Sequence, residues 1–201
     1  MKLFPLYKEA LDLGKDWASV NIPKGLHNSI AKLVPDLEKI LNTRLKLIDT
    51  GRASSIYQTE DGEIVKITTQ REANSYEKIL NKKCNHICNV YKVFTHKTMG
   101  IIVKEFIPNL DKINLELVKE CLQFIEDAYG DNLYQGLIKS GKNIKTYNSL
   151  KKYYPEMLEQ YRELTNMALE GKNLRIPHLD ITEYNIGIKH GHLIIFDPFF
   201  S

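Results

Sequence analysis

The first part of the chain carries apolar residues at helical spacing. In the segment SIAKLVPDLEKILN they recur at steps of three and four, at Ile30, Leu33, Leu37, Ile40 and Leu41. This spacing places them on one face of a helix, so residues 1 to about 42 are predicted to be helical. Pro35 lies inside the pattern, where it marks a first helical turn or a kink.

From Arg44 the pattern changes to short runs typical of strands. Three runs predict antiparallel strands, RLKLIDTG, SSIYQTEDG and EIVKITT, with a hairpin turn at residues 60–62. Residues 71–81 return to helical spacing. Two more strands, HICNVYKVF and MGIIVKEFI, are predicted before Pro108 and Asn109 break the run. The pattern therefore favours an α+β fold with a five-stranded antiparallel sheet and one inserted helix.

After residue 109, about 65 residues have a composition and spacing that predict helices. Helices are predicted at 114–129 and 149–170, divided by the turn-rich residues 140–143, and Gly171 is expected to end the second one. The last part predicts a hairpin of two short strands, NIGI and HLIIFD, around the turn at residues 190–192.

Composition narrows the class of protein. The 201 residues are 43% hydrophobic and 26% charged, and no apolar run approaches the roughly 18 residues of a membrane span. A net charge of +3 is too small to indicate nucleic-acid binding. Three cysteines and no secretory leader indicate reduced thiols and a cytoplasmic protein that binds no membrane.

Cys84, His86 and Cys88 raise the alternative of a zinc site. They alternate with apolar residues as a strand would, and their spacing matches no common zinc motif. Use of these residues in the core or in a strand is the favoured interpretation.

The candidate chemistry lies near the end of the chain, in IPHLDITEYNIGIKHGHLIIFDPFF. Asp180 is followed by Asn185 five residues later and by Asp197 twelve residues beyond that. Each residue taken singly is a common turn or cap residue. Together with His178, this order resembles the catalytic and metal-binding segments of the protein-kinase-like superfamily, including the aminoglycoside-phosphotransferase-like enzymes. The resemblance implies that Asp180 is the catalytic base, that Asn185 and Asp197 bind Mg²⁺, and that His178 braces the loop.

Upstream residues extend the resemblance in the same order. Lys66, in EIVKIT, resembles the strand lysine that contacts the α and β phosphates of ATP in this family. Its expected partner is a glutamate of the next helix, and both Glu72 and Glu77 qualify. Glu72 lies about 50° from the centre of the apolar face and Glu77 about 90°, so Glu72 is preferred and Glu77 is kept as the alternative.

The resemblance also implies where the nucleotide binds. The turn that contains Gly51, Ser54 and Ser55 resembles the loop that covers the phosphates between the first two strands. The strand IIVKEFIPN resembles the last strand of the small lobe and the hinge, where Glu105 and Ile107 would contact adenine through their backbone. A strand that ends at a proline turn is the simpler alternative for this segment.

The implied architecture is a two-lobed protein-kinase-like fold in a minimal form. It comprises a helical extension at 1–44, an N-lobe at 45–108 and a reduced, mostly helical C-lobe at 109–201. The loop has a single glycine, the position two residues after Asp180 is not a lysine, and Asp197 precedes Pro198 and Phe199 instead of phenylalanine and glycine. The family's activation segment and later helices have no counterpart before residue 201, so the fold is expected to be C-terminally truncated, with exposed apolar surface that would favour a homodimer.

Two functions follow from these observations. The first is an ATP- and Mg²⁺-dependent phosphotransferase that acts on a hydroxyl of a protein serine or threonine or of a small molecule. The second is a pseudokinase-like module that binds a nucleotide or a partner without transfer. The single-glycine loop and the short C-lobe motivate the second.

Overall fold

The computed structural model describes residues 24–51, 54–130 and 132–199. It begins with two short helices, α1 (Lys24–Ala31) and α2 (Val34–Leu41). Pro35 stands in the first turn of α2, where its missing N–H costs no helical hydrogen bond. The prediction of helix is confirmed for this part, and the prediction for residues 1–23 lies outside the described residues.

The five predicted strands form one antiparallel sheet with the order β1-β2-β3-β5-β4. Their bounds are β1 (Lys46–Thr50), β2 (Ser55–Gln58), β3 (Ile64–Thr69), β4 (Val90–His96) and β5 (Met99–Lys104). The prediction of an α+β fold with a five-stranded antiparallel sheet is confirmed.

One helix, α3 (Gln70–Tyr76), follows β3 as predicted but is shorter than the predicted 71–81. Its start is set by Thr69, whose side chain accepts a hydrogen bond from the amide of Glu72. After Glu77 the chain continues in turns, and Leu80 forms an isolated bridge with Val90 at the start of β4. The return of the chain to the sheet therefore ends the helix early.

The sheet is covered on both faces. One face packs against α1 and α2, which bury Ile30, Leu33 and Leu37 against a row of strand side chains. That row consists of Tyr57, Val65, Ile67, Met99, Ile101 and Val103. The other face carries Lys66 and Ile102, which are direct neighbours across β3 and β5, and it packs against α3. Because side chains alternate along a strand, the apolar row and Lys66 point to opposite faces.

The remainder is mostly helical. It contains α4 (Lys112–Tyr129), α5 (Leu133–Ser140), α6 (Ile144–Tyr153), a 3₁₀ turn (Pro155–Met157) and α7 (Leu158–Asn173). The prediction of a single helix at 149–170 is wrong. Pro155 separates α6 from α7 and begins the 3₁₀ turn between them. The helix α5 was not predicted.

The prediction that Gly171 ends the last helix is also wrong, since α7 runs on to Asn173. A Cβ at position 171 would collide with the side chain of Leu179. The glycine therefore allows the segment before Asp180 to lie close against the helix, instead of ending it.

The predicted terminal hairpin is confirmed as β6 (Ile186–Lys189) and β7 (His192–Ile195). His190 and Gly191 both adopt positive φ, as a two-residue turn of this type requires. The amide of Ile188 donates to the carbonyl of Pro108, and the amide of Cys88 donates to the carbonyl of Ile195, each at 3.0 Å. The hairpin is thus hydrogen-bonded to the segments that flank the sheet.

A carboxylate attaches the same hairpin to the helices. Glu163 of α7 is buried and accepts hydrogen bonds from the amide of Leu193 at 3.0 Å and from Nδ1 of His192 at 3.2 Å. The hairpin is therefore fixed on both sides, which sets the position of Asp197 two residues beyond β7. None of the helices within the described ranges has the length and apolar character needed to cross a membrane.

A matched pair of substitutions tests whether α2 is an integral cover of the sheet. Leu37 is fully buried against the strands, whereas Ile40 on the same helix is 52% exposed. We expect Leu37→Ala to lower the free energy of unfolding by about 2–5 kcal/mol and Ile40→Ala to change it by less than about 0.5 kcal/mol. Urea unfolding followed by circular dichroism measures both. Equal effects of the two variants would contradict the packing of α2 on the sheet.

Candidate active site

A buried lysine joins the sheet, α3 and the end of the terminal hairpin. Lys66 of β3 is only 1% exposed. Its Nζ lies 2.6 Å from Oε1 of Glu72 and 2.5 Å from Oδ2 of Asp197. The structure thus brings three of the residues singled out in the sequence into direct contact. Glu77, the alternative partner, is exposed at the end of α3.

Local structure explains why Glu72 reaches the lysine. The cap at Thr69 sets the start of α3, so that Glu72 lies in the first helical turn beside the end of β3. The hydroxyl of Thr68 donates a hydrogen bond to Oε2 of Glu72, while Oε1 faces Lys66. Both carboxylate oxygens are therefore held, and the orientation of this buried group is fixed.

Charge pairing keeps Lys66 protonated in spite of its burial. Burial by itself lowers the pKa of Lys66, but the carboxylates of Asp197 and Glu72 raise it by more, so the pKa lies above its ordinary value. The ammonium has three N–H bonds, two of which point to these carboxylates. Lys66 does not itself line the adjoining cleft and meets it through Asp197.

Asp197 is held by two residues that the sequence analysis did not single out. Tyr76 of α3 donates its hydroxyl to Oδ1 of Asp197. Lys104, the last residue of β5, is 3% exposed and places its Nζ 3.6 Å from the same oxygen. Burial raises the pKa of Asp197, but Lys104 and Lys66, with the hydrogen bonds from Lys66 and Tyr76, outweigh it and hold the pKa at about 2. The carboxylate is ionised at neutral pH.

Asp180 and Asn185 lie beside this cluster. The amide of Asp180 donates to the carbonyl of Pro198 at 3.0 Å, and the amide of Phe196 donates to the carbonyl of Asn185 at 2.9 Å. The two segments are therefore hydrogen-bonded on either side of Asp197. The side chain of Asn185 donates from Nδ2 to the carbonyl of Asp180 at 3.2 Å, which leaves its Oδ1 as the atom that can bind a cation.

The environment of Asp180 differs from that of Asp197. Burial raises the pKa of Asp180 above its ordinary value of 3.8, and the negative charge of Asp197 adds to the rise. A hydrogen bond from Asn185 and the positive charge of Lys66 act in the opposite direction. Two carboxylates in one site thus differ in basicity, and Asp180 is the better proton acceptor.

A cleft opens beside Asp197. Its volume of about 270 Å³ is close to about 300 Å³, the lower end of the range for ligand sites. Apolar residues of the first three strands line one wall, namely Ile48, Ile56 and Ile64. The cleft is also lined by Lys104, Glu105, Ile107, Tyr184 and Phe196. Glu105 and Ile107 thus line the cleft, and their contact with a base stays a prediction.

The backbone of Glu105 is already engaged. Its amide donates to the carbonyl of Asn89 at 2.9 Å, and its carboxylate accepts hydrogen bonds from Nδ2 of Asn89 and from the ammonium of Lys189. The amide of Glu105 is therefore already used, and the expected contact of another backbone group of this residue with adenine stays a prediction. Its side chain instead joins the segment after β5 to the hairpin.

The expected phosphate loop is only partly described. Gly51, Ser54 and Ser55 form a tight turn in which the amide of Gly51 donates to the carbonyl of Ser54 at 2.9 Å. Both serines are buried, and these three described residues do not line the cleft. Residues 52 and 53 lie outside the described part of the chain.

His178, expected to brace the loop, is exposed, and its ring lies 6.4 Å from that of Tyr134. Lys104 and Tyr76 are the functional candidates that the sequence analysis missed. The signal for Lys104 was a lone lysine in the apolar run MGIIVK. Tyr76 lies within the predicted helix 71–81, where its ring is buried, but the sequence shows no partner for its hydroxyl.

The donor set suits a hard divalent cation bound together with phosphate. Asn185 offers an amide oxygen and Asp197 an ionised carboxylate, and Mg²⁺ prefers such oxygen ligands with phosphates completing its shell. Among the described residues, no group of three or more histidine, cysteine, aspartate or glutamate side chains is arranged to hold a metal ion. The residues at 84, 86 and 88 therefore give no support to the zinc alternative, and a cation at Asp197 would need ligands from a bound nucleotide.

Comparisons with known proteins add little. No protein-family model and no curated protein matches the chain. Among solved structures, the crystal structure of Rad53 1-466 in complex with AMP-PNP is similar, with a TM-score of 0.39 and 15% sequence identity over 76% of this chain. The chain spans 38% of that protein's length.

The two aspartates should respond to substitution in opposite ways. The pKa of Asp180 is raised on folding, so its ionised form destabilises the native state, and this cost is fully present above the raised pKa. We expect Asp180→Asn to raise the midpoint of thermal unfolding at pH 7. The gain should shrink as the pH falls through the raised pKa toward 3.8. A loss of stability at pH 7 would contradict the buried, charge-repelled environment of Asp180.

Asp197 provides the converse case. Its pKa is lowered from 3.8 to about 2, so it contributes stability above 3.8 that is lost as the pH falls toward about 2. We expect Asp197→Asn to lower the free energy of unfolding at pH 7 by about 2 kcal/mol from this pKa difference alone. Urea unfolding at several pH values should show the gap between wild type and variant closing in acid. A gap that does not depend on pH would show that Asp197 is not paired with the two lysines.

Proposed function

We propose that the protein is an ATP- and Mg²⁺-dependent phosphotransferase that transfers a phosphoryl group to a hydroxyl. One observation carries the proposal. Lys66 of β3, Glu72 of α3 and Asp197 after the terminal hairpin meet beside a cleft that Asp197 lines, with Asp180 and Asn185 hydrogen-bonded alongside. A buried cation, a metal-binding pair and a more basic carboxylate are the groups that phosphoryl transfer needs in one place.

Each residue has a role that its contacts support. Lys66 uses its third N–H to bind a phosphate oxygen, while Glu72 fixes the direction of the ammonium. Asp180, with its raised pKa, orients the acceptor hydroxyl and accepts its proton. Bound Mg²⁺ would be held by Asn185 and Asp197 and would neutralise charge on the phosphates. The apolar wall formed by the strands receives the base.

The acceptor is a hydroxyl compound that reaches Asp180. Thr182 stands where protein kinases commonly have a lysine, so the transferred group depends on Lys66 and the cation for charge neutralisation. Protein serine or threonine and small-molecule hydroxyls both fit this chemistry. The alternative of a binding module without transfer differs from the proposal in the outcome of the experiments below.

Thermal unfolding with and without Mg-ATP tests nucleotide binding. At a ligand concentration about 100-fold above Kd, binding stabilises the native state by about 2.7 kcal/mol, which for a chain of this size raises the midpoint by roughly 5–10 °C. We expect this rise in the wild type and in Asp180→Asn, and its loss in Asp197→Asn. Omission of Mg²⁺ should diminish the rise in the wild type. No rise with Mg-ATP in the wild type would contradict the proposal.

Transfer is tested with ATP labelled in the γ-phosphoryl group. The acceptors are water, the chain itself and a mixed pool of serine- and threonine-containing peptides. We expect Asp180→Asn to reduce the rate by about 100-fold or more while it still binds the nucleotide. Glu77→Gln, which changes the exposed residue directly after the helix that carries Glu72, should leave the rate unchanged and serves as the control. Nucleotide binding without any transfer by the wild type would favour the binding module.

A further inference from the structure

The second buried lysine of the site occupies a cation position built from protein groups. Lys104 donates from Nζ to the carbonyl of Phe196 at 2.5 Å and lies 3.6 Å from Oδ1 of Asp197. The ring of Tyr76 covers the same ammonium, with its centroid 5.4 Å away. A carbonyl, a carboxylate and an aromatic face thus surround one charge, as a buried ammonium requires.

The strand register explains why this lysine reaches the site. Lys104 pairs directly with Ile64 across β3 and β5, two positions from the pair formed by Lys66 and Ile102. Side chains two positions apart lie on the same face of a strand, so Lys66 and Lys104 both extend toward Asp197. They approach it from different sides, one at each carboxylate oxygen.

The two oxygens of Asp197 therefore differ in what they can still bind. Oδ1 accepts the hydroxyl of Tyr76 and faces the ammonium of Lys104. Oδ2 faces Lys66 alone among the described residues. A Mg²⁺ ion sits about 2.1 Å from its ligand oxygens, so an ion on Oδ1 would have to displace the hydroxyl and lie against a buried positive charge. An ion on Oδ2 would lie near the ammonium of Lys66, which can exchange its contact with Asp197 for a contact with a phosphate.

We propose that Lys104 is a fixed positive charge in place of a second metal ion, so that the site binds one divalent cation per nucleotide, through Oδ2 of Asp197 and Asn185. This inference rests on the proposed function. Lys104 is a positioning residue, because it acts on the cation and the phosphates through Asp197. Its ammonium and the single cation together supply the positive charge at the phosphates.

The test counts bound Mn²⁺, which substitutes for Mg²⁺ and is read by electron paramagnetic resonance. The full chain is kept in excess over the non-hydrolysable analogue AMP-PNP so that the nucleotide is bound, and Mn²⁺ is titrated. We expect one Mn²⁺ per nucleotide in the wild type and two in Lys104→Met, where Oδ1 loses its neighbouring charge and an ion has only the hydroxyl of Tyr76 to displace. A second Mn²⁺ in the wild type, or a single one in folded Lys104→Met, would overturn the inference.

Controls separate the effect of charge from the effect of shape. Lys104→Arg keeps the charge and should bind one Mn²⁺, and Lys189→Met, which changes a lysine that contacts Glu105 instead of Asp197, should also bind one. Circular dichroism verifies that each variant is folded. If Lys104→Met does not fold, a count of two Mn²⁺ in the wild type or in Lys104→Arg would still overturn the inference. Absence of both AMP-PNP and Mn²⁺ binding by the wild type would instead overturn the proposed function, and the inference with it.

Discussion

The ion pairing of Lys66 is the contact on which the arrangement of the site depends. Lys66 and Asp197 are 131 positions apart in the chain, yet their charged atoms lie 2.5 Å from each other. An unpaired ammonium at this depth would be strongly destabilising, so the lysine, Glu72 and Asp197 must be brought together when the chain folds. The sheet, α3 and the terminal hairpin are thereby fixed relative to one another by the same side chains that would carry the chemistry.

The buried charges also balance. Lys66 and Lys104 supply two positive charges, and Glu72 and Asp197 supply two negative ones. The network is neutral before any ligand binds, which is consistent with its deep burial. A ligand therefore enters a site whose charged groups are already oriented. Preorganisation of this kind lowers the reorganisation needed during a reaction.

Much of the sheet and several site residues could be predicted from the sequence, because their signals are local. The strand runs, the terminal hairpin and the order of Lys66, Asp180, Asn185 and Asp197 are all visible as short patterns. Lys104 could not be assigned in this way, since its role depends on the register that places it opposite Ile64. The sequence does show an isolated lysine in an apolar strand, but not the carboxylate that it faces.

The helical part illustrates the limits of periodicity. The predicted helix at 149–170 spans Pro155, where the structure instead has a 3₁₀ turn between two helices. The sequence around α5 gives a weak helical signal, because Gly136 lies at its centre and glycine is unfavourable inside a helix. In the structure a Cβ at this position would lie 2.9 Å from a methyl carbon of Ile125, so the glycine serves the packing of two helices. Such contacts between distant segments leave no periodic signal.

The cover that α1 and α2 provide for the sheet has a consequence for how the protein is made. These helices precede every strand that the structure describes, so during synthesis the apolar faces that will bury Tyr57, Val65 and Ile101 exist before those strands leave the ribosome. The growing sheet meets its partner as it forms, and its apolar row is shielded from other chains from the outset. A version of the protein that started at β1 would keep every residue of the proposed site and yet present that row to solvent, where it would promote aggregation.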